Sequence, residues 1–453
     1  MIIRTAEIKP LEEEYEKSGN RLVLFYGDDT SQREQLLKYF MQDKKAFYYR
    51  ARPASAKQQR TMMGEQIVEQ YGVAIQKHTY DEYFNRIKSG DASKLVVIID
   101  EFQYIVRNDE SFWESILKLK AKRLYPGPVL IVLASSAFKW IDTEGMELLG
   151  EQAKKIDRKV RLTDMNFLEL VRAFPEYSVS ECVQAYGVIG GANAYVNHWN
   201  SKKDVKHNIC RLILSSNGVL FEEAQRVIGR DLRELAVYDT LLCSLAAGNR
   251  KLNDLYHDTE YSRAKISVYL KNLMAYDIVE KVSVFETGGW DNAQKGLYQI
   301  KNTFVNFWFK FIYPHMSQLY RLTPEVFFDT YIEPELDEYL NRYFVAVCRE
   351  YLALLNLHGR LPLKAVKMGT WIGKKGNIDI IVQNAQRQNI VAICNWSKPE
   401  LTDEMYQELL ASMKQAKLKA EQYYLFSAQA FDEAVRLRAE KEPEVVLIDM
   451  KEL

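Results

Sequence analysis

What this sequence lacks first is charge of one sign. Its 61 Lys and Arg are balanced by 61 Asp and Glu over 453 residues. A balanced chain has no global field to draw in a polyanion, so any nucleic-acid contact must come from a local patch. Cysteine is scarce as well: Cys182, Cys210, Cys243, Cys348 and Cys394 are scattered, and no two have CxxC spacing. That excludes a zinc knuckle or a disulfide framework and leaves buried, reduced thiols as the expectation. Proline is limited to 11 residues, and no repeat or low-complexity tract occurs. No run approaches the ~18–20 apolar residues that span a bilayer. The polar, acidic opening MIIRTAEIKPLEEEYEKSG is unlike a secretory leader. These absences point to a globular protein of the cytoplasm with no membrane partner.

A chain of this length exceeds one ordinary core, so several domains are expected. The first half alternates short apolar runs with helical stretches, the pattern of a parallel sheet covered by helices. Strands are predicted at RLVLFYG (21–27), KAFYYRA (45–51), LVVIIDEF (95–102), PVLIVLASSA (128–137) and KVRLTDM (159–165), with a helix over 31–42. Continuously apolar runs such as 95–102 suit strands buried on both faces.

After about residue 166 the pattern turns helical. Helices over 234–248, 251–258 and 261–277 are followed by the strand-like 278–286, a loop GGWDNAQKG (288–296) resembling a wing tip, and LYQI (297–300). The aromatic stretch NTFVNFWFKFIYPHM (302–316) has only Lys310 interleaved, so it reads as core and not as a base-stacking platform. A last α/β unit follows, with a helix over 340–356, strands at 376–384 and 389–396, a helix over 402–420, and strands at 422–428 and 444–450.

Two places carry chemistry in the first half. The strand 21–27 ends in a glycine and runs into a helix, the setting in which a GxxxxGK[ST] loop wraps backbone N–H groups around phosphates. Here GDDTSQRE (27–34) fits that frame only at Gly27. Gln32 stands at the second glycine, Arg33 at the lysine and Glu34 at the magnesium-binding hydroxyl, while Asp28 and Asp29 add negative charge. Each like-charge contact with a triphosphate at ~4 Å costs roughly 1–4 kcal/mol. The strand 95–102 ends in Asp100 and Glu101, the Walker B arrangement in which Asp100 would hold Mg²⁺ and Glu101 would polarise the attacking water. Ser135 and Ser136 end the next strand, where a polar side chain can touch a γ-phosphate.

VLFYGDDTSQREQLLKYF, VIIDEFQYI, VLIVLASSA, VRLTDMNFLELVRAFP and YGVIGGANAYVNHW resemble, in this order, the archaeal-type AAA-related P-loop ATPases that are also widespread in bacteria. Residues 190–195 keep that family's Gly-Gly-x-Pro-x-Tyr pattern apart from its proline. The resemblance implies a winged helix after the ATPase core and a restriction-endonuclease-like C-terminal domain. The fold class expected is therefore α/β and multi-domain. A P-loop AAA-like parallel-sheet core occupies 1–165, a helical lid-type subdomain 166–232, a winged helix and linker 233–325, and a restriction-endonuclease-like α/β domain 326–453.

The resemblance also implies an intact phosphate loop and an arginine where Glu151 follows Gly150, and this chain departs from both. In the C-terminal domain it implies a metal-binding Glu-x-Lys pair, but Ile393 and Asn395 stand at those positions. Glu350 and Asp379 are left as a nuclease remnant.

The reading that follows is a pseudoenzyme: an ATPase-like module without hydrolysis, regulatory or scaffolding, with a protein partner. Two alternatives stand beside it. In one, ATP and Mg²⁺ bind with Gly27, Arg33, Glu34 and Ser135 around the nucleotide, Asp100 on the metal and Glu101 catalytic. In the other, the winged helix binds DNA through Arg263, Lys265, Lys271 and Asn272, within a segment (201–281) that holds 13 Lys and Arg against 11 Asp and Glu.

Overall fold

A computed structural model describes residues 5–27, 30–87, 92–121, 124–229, 232–282, 285, 297–373 and 376–452. Asp28, Asp29 and the wing-tip loop 288–296 lie outside the described residues. The chain divides into two compact units, 1–164 and 165–453.

Unit 1 is built on five parallel strands, β1 (Arg21–Tyr26), β2 (Ala46–Arg50), β3 (Leu95–Asp100), β4 (Val129–Ser135) and β5 (Arg158–Arg161), in the order β2-β3-β4-β1-β5. These fall on the five predicted runs. Successive side chains of a strand point to opposite faces, and both faces here are covered. Leu22, Leu24, Val97, Ile99, Ile131 and Leu133 pack on one side with the helices Ala56–Tyr71, Tyr80–Arg86 and Glu110–Ala121. Val23, Phe25, Val96, Ile98, Leu130 and Val132 face the helices Thr5–Glu16 and Thr30–Met41, through Ile8, Leu11, Leu36, Leu37 and Phe40. Burial on both faces explains why β3 and β4 are apolar throughout. The carboxyl ends of β1, β3 and β4 lie side by side, Tyr26 opposite Ser135 and Asp100 opposite Ala134. Open α/β sheets bind ligands at this edge.

Unit 2 opens with the helices Phe167–Ala173 and Val179–Ile189, each begun by a capping box, Asn166 with Glu169 and Ser178 with Glu181. The helices Leu235–Ala246, Leu252–Thr259 and Arg263–Ala275 precede an antiparallel pair, β6 (Val279–Lys281) with β7 (Tyr298–Ile300). The aromatic stretch then folds inward: Phe304, Phe307, Trp308, Phe309 and Phe311 are each at most 1% exposed, which places them in the core.

The helix Glu333–Leu357 leads to a five-stranded sheet of β8 (Ala365–Gly373), β9 (Gly376–Asn384), β10 (Asn389–Asn395), β12 (Gln422–Ser427) and β14 (Val445–Asp449), ordered β14-β12-β10-β9-β8. The short strands β11 (Glu400–Leu401) and β13 (Ala430–Phe431) pair beside it. β8 was not expected from the sequence. As an edge strand with two register shifts and only Gly369 and Trp371 among its middle residues turned inward, it shows no apolar run. The five cysteines are free, and all but Cys243 are buried. Among the described residues no helix is long and apolar enough to cross a membrane.

Candidate functional site

The site is assembled at the carboxyl edge of the unit 1 sheet. Gly27 leaves β1 with both backbone groups engaged. Its N–H donates to the Ser135 carbonyl at 3.1 Å, and its carbonyl accepts from Arg33 Nη1 at 3.2 Å. A Cβ at this position would stand 2.7 Å from the Leu162 Cβ. The glycine is thus required by the close passage of the chain after β5, whatever it does toward a phosphate.

One turn into the helix Thr30–Met41, Arg33 points inward and is fully buried. Its Nε donates to Asp100 Oδ1 at 3.0 Å and its Nη2 pairs with Glu101 Oε1. One guanidinium therefore bridges the two carboxylates that the Walker B reading reserves for magnesium and water. Both acids are closed off further. Asp100 Oδ2 accepts from the Tyr48 hydroxyl at 2.9 Å, and Asp100 Oδ1 accepts from the Glu101 amide at 3.0 Å. Glu101 Oε2 accepts from Gln103 Nε2 at 2.6 Å, from the Ser136 hydroxyl at 2.8 Å and from the Ser136 amide at 3.1 Å.

The electrostatics follow from this packing. Burial works to raise the Glu101 carboxyl, but the Arg33 charge and the bonds from Gln103 and Ser136 hold it below the ordinary glutamate value. Burial, with the Asp100 charge beside it, pushes the Tyr48 phenol up. Glu101 also adopts φ +54°, a left-handed conformation uncommon for a residue with a side chain. Such a backbone persists where its surroundings fix it, and the four contacts to its carboxylate do so.

The other expected nucleotide contacts are engaged elsewhere. Glu34 pairs with Arg50. The buried Ser135 hydroxyl donates to Gln103 Oε1 at 2.6 Å and accepts from the Ala137 amide at 3.0 Å. Gln32 Nε2 reaches Glu7 Oε2 at 2.9 Å. Glu151, in the place of the expected arginine, is exposed and pairs with Lys154 at 2.5 Å.

In unit 2 the two acids of the nuclease remnant are committed separately. Glu350 accepts from the Phe167 amide at 2.8 Å and the Tyr186 hydroxyl at 3.0 Å, pinning the helix Glu333–Leu357 to the start of the unit. Asp379 accepts from the Cys394 amide at 2.9 Å, and burial pushes its carboxyl up to about 6 against the pull of Arg349. Asn395 closes a turn with both backbone groups of Lys398. Among the described residues no group of three or more His, Cys, Asp or Glu is placed to hold a metal ion.

Comparison with known proteins adds the following. Residues 308–419 match the model of the DUF234 family, archaea bacterial proteins of unknown function. An uncharacterised protein of Methanocaldococcus jannaschii is 24% identical over 388 residues, 84% of each chain. Among solved structures, a Walker-type ATPase of Pyrococcus abyssi aligns with TM-score 0.45 and 15% identity over 68% of this chain and 96% of its own. The Aeropyrum pernix ORC1 protein in complex with DNA aligns with TM-score 0.30 and 14% identity over 70% and 94%. A Thermotoga maritima RuvB mutant aligns with TM-score 0.30 and 13% identity over 62% and 89%.

Sequence reasoning missed Tyr48 and Gln103, which with Ser136 complete the shell around Asp100 and Glu101. Gln103 is visible in retrospect as a polar residue just beyond an apolar strand, whereas Ser136 was expected to face a γ-phosphate and bonds Glu101 instead. Tyr48, mid-strand in β2, gives no such signal.

Proposed function

We propose that unit 1 is an ATPase-like module that does not hydrolyse ATP and serves as a regulatory or scaffolding element for a protein partner. The observation that carries this reading is the buried bridge from Arg33 to both Asp100 and Glu101. A phosphate-gripping cation has to reach toward the nucleotide, and a magnesium-holding carboxylate has to face the cleft. Here each satisfies the other, with no exposed surface on Arg33 or Asp100. Freeing the site means separating a buried ion pair, which costs about 3–5 kcal/mol. That cost would weaken ATP by roughly two to four orders of magnitude. Asp28 and Asp29 add charge of the wrong sign. Calorimetry with ATP and Mg²⁺ on the full chain tests the reading, the expected result being no binding in the micromolar range and no phosphate release. Micromolar binding with turnover would sink it.

The same arrangement defines the competing reading, in which Arg33 swings out to replace the lysine and Asp100 takes magnesium. It predicts that saturating ATP raises the melting temperature and that Arg33→Ala abolishes the rise.

A DNA-binding role for the segment 234–300 is favoured by one observation. The helix Arg263–Ala275, third of three before an antiparallel pair, keeps Arg263, Lys265 and Lys271 exposed on its outer side. Against it, Arg263 and Lys265 lie over Tyr256 and Tyr261, and Asn272 turns back to the Tyr238 hydroxyl at 2.9 Å. Duplex binding that vanishes in Lys271→Gln and weakens steeply with salt is its signature; no binding even at low salt would remove it.

A further inference from the structure

Unit 2 contains a cleft of about 590 Å³ to which the proposed function gives no role. Five of its lining residues are cationic: Arg250, Lys281, Lys301, Arg342 and Arg349. They come from the start of the segment 250–258, from β6, from the residue after β7, and from one face of the helix Glu333–Leu357, where Arg342 and Arg349 are seven residues apart. Lys301 is already paired with Asp277 at 3.0 Å. The three arginines are not: among the described residues none has a carboxylate within ion-pair distance. Arg250 Nη2 donates to Gln299 Oε1 at 2.7 Å, and Arg342 Nη2 donates to the Ile300 carbonyl at 2.6 Å. The Nε atoms of Arg250 and Arg349 are buried with no hydrogen-bond partner. Burial and the neighbouring Arg342 charge hold the Arg250 guanidinium below its ordinary value.

Three acids, Glu280, Glu338 and Asp379, share the lining, and the charges of Glu280 and Asp379 act on Arg250 and Arg349 from beyond ion-pair distance. Glu280 accepts from Gln299 at 2.5 Å, and Asp379 is turned to the Cys394 amide. Buried N–H groups of charged side chains are rarely left unpaired, because the loss is uncompensated. Guanidiniums that converge on a half-open cleft with unused donors form a fork suited to a tetrahedral oxyanion.

We infer that this cleft of unit 2 is an anion site that receives a phosphate group between Arg250, Arg342 and Arg349. It stands where the nuclease resemblance would place a metal. With Glu350 engaged elsewhere and Arg349 facing Asp379, a phosphodiester is held here by protein cations and is not cut. Two sources carry the required chemistry, a nucleic-acid strand and a free phosphate compound. The inference is independent of the Arg33 bridge in unit 1.

The test uses the full chain, with pyrophosphate titrated by calorimetry and a short fluorescent single strand by anisotropy, at low and at about 200 mM salt. Arg250→Gln and Arg349→Gln should each weaken binding about tenfold and lower the salt slope for the strand by about 1. Arg349→Lys should lose less, and Lys202→Gln, at an exposed position outside the cleft, should change nothing. Lys281→Gln, on the exposed rim, provides the same test if an arginine variant fails to fold. Binding of the strand alone assigns a nucleic acid, and binding of pyrophosphate alone assigns a small phosphate compound. Absence of both, or binding indifferent to the arginine variants but lost in Lys271→Gln, overturns the inference.

Discussion

Replacing Arg33 with methionine removes the charge while keeping much of the side-chain volume, and the consequence is set by what it leaves behind. Asp100 is fully buried and Glu101 is 5% exposed; among the described residues the Arg33 guanidinium is the only cation bonded to both, with Arg50 Nε 3.9 Å from Asp100 Oδ2. Two adjacent carboxylates would then share an interior with Tyr48, Gln103 and Ser136 as neutral donors, and with only the half-exposed Arg50 at 3.9 Å from Asp100 as a cation among the described residues. Stranding one partner of a buried ion pair costs about 3–5 kcal/mol, and with about 2–4 °C per kcal/mol for a unit of this size the melting transition of unit 1 should fall by on the order of 10 °C.

Arg33→Met combined with Asp100→Asn and Glu101→Gln should recover most of that loss, because neutral residues of similar shape replace a buried ionic group at little net cost. The pH dependence has a definite sign. In the native chain the Glu101 carboxyl is held low, so its contribution is present above the unfolded value near 4.3 and is lost as pH falls through the lower folded value. In Arg33→Met the stranded carboxyls rise instead, and their penalty disappears as pH falls toward about 4. The two chains should converge in acid and separate at neutrality. Thermal melts of the full chain between pH 4 and 8 read this directly, as an expected range. A single variant that melts within about 2 °C of the native chain at pH 7, or a triple variant no better than the single, would refute the bridge.

Gly27→Ala should destabilise unit 1 by about 1–3 kcal/mol, seen in urea unfolding, because its Cβ meets Leu162 at 2.7 Å. Gly191→Ala should be worse, since its Cβ would run into the Met165 backbone. Glu350→Ala should leave the Phe167 amide and Tyr186 hydroxyl without their acceptor, at about 1–3 kcal/mol, and should leave metal affinity unchanged in calorimetry with Mg²⁺. Asp239, whose carboxyl burial pushes up to about 6, carries a penalty that grows as pH rises from its unfolded value near 3.9 through the folded one. Asp239→Asn should therefore raise the melting temperature at pH 8 and leave it unchanged at pH 4; equal gains at both would refute burial as the cause.

The legible part of the fold is the part with unbroken apolar runs. β1, β3 and β4 announce themselves because both faces of the sheet are covered, and the helix at 30–41 shows its inward stripe of Leu36, Leu37 and Phe40. The altered phosphate loop and the paired acids of β3 were legible too, as separate features. Their joining was not. Arg33 and Asp100 are 67 positions apart, and the bridge depends on how the helix after β1 is rotated against the end of β3. A cation one turn into a helix, facing a sheet in which the strand on the far side of β4 ends in two acids, is the signal that was available. The cleft of unit 2 was harder still. Its cations are spread from residue 250 to 349, and only the packing of β6 and β7 against the long helix brings them together. β8 escaped notice because an edge strand needs no apolar run.

The bridge at the end of β3 has a consequence in time as well as in energy. In a nucleotide-driven protein, charge arrives with a triphosphate and departs after cleavage, and each arrival and departure marks a step. Here the countercharge of Asp100 and Glu101 is built into the helix Thr30–Met41 and stays with the chain for its whole life. On the proposed reading this unit keeps no clock of its own. Any rhythm in a process it joins is set by the partner that docks and leaves.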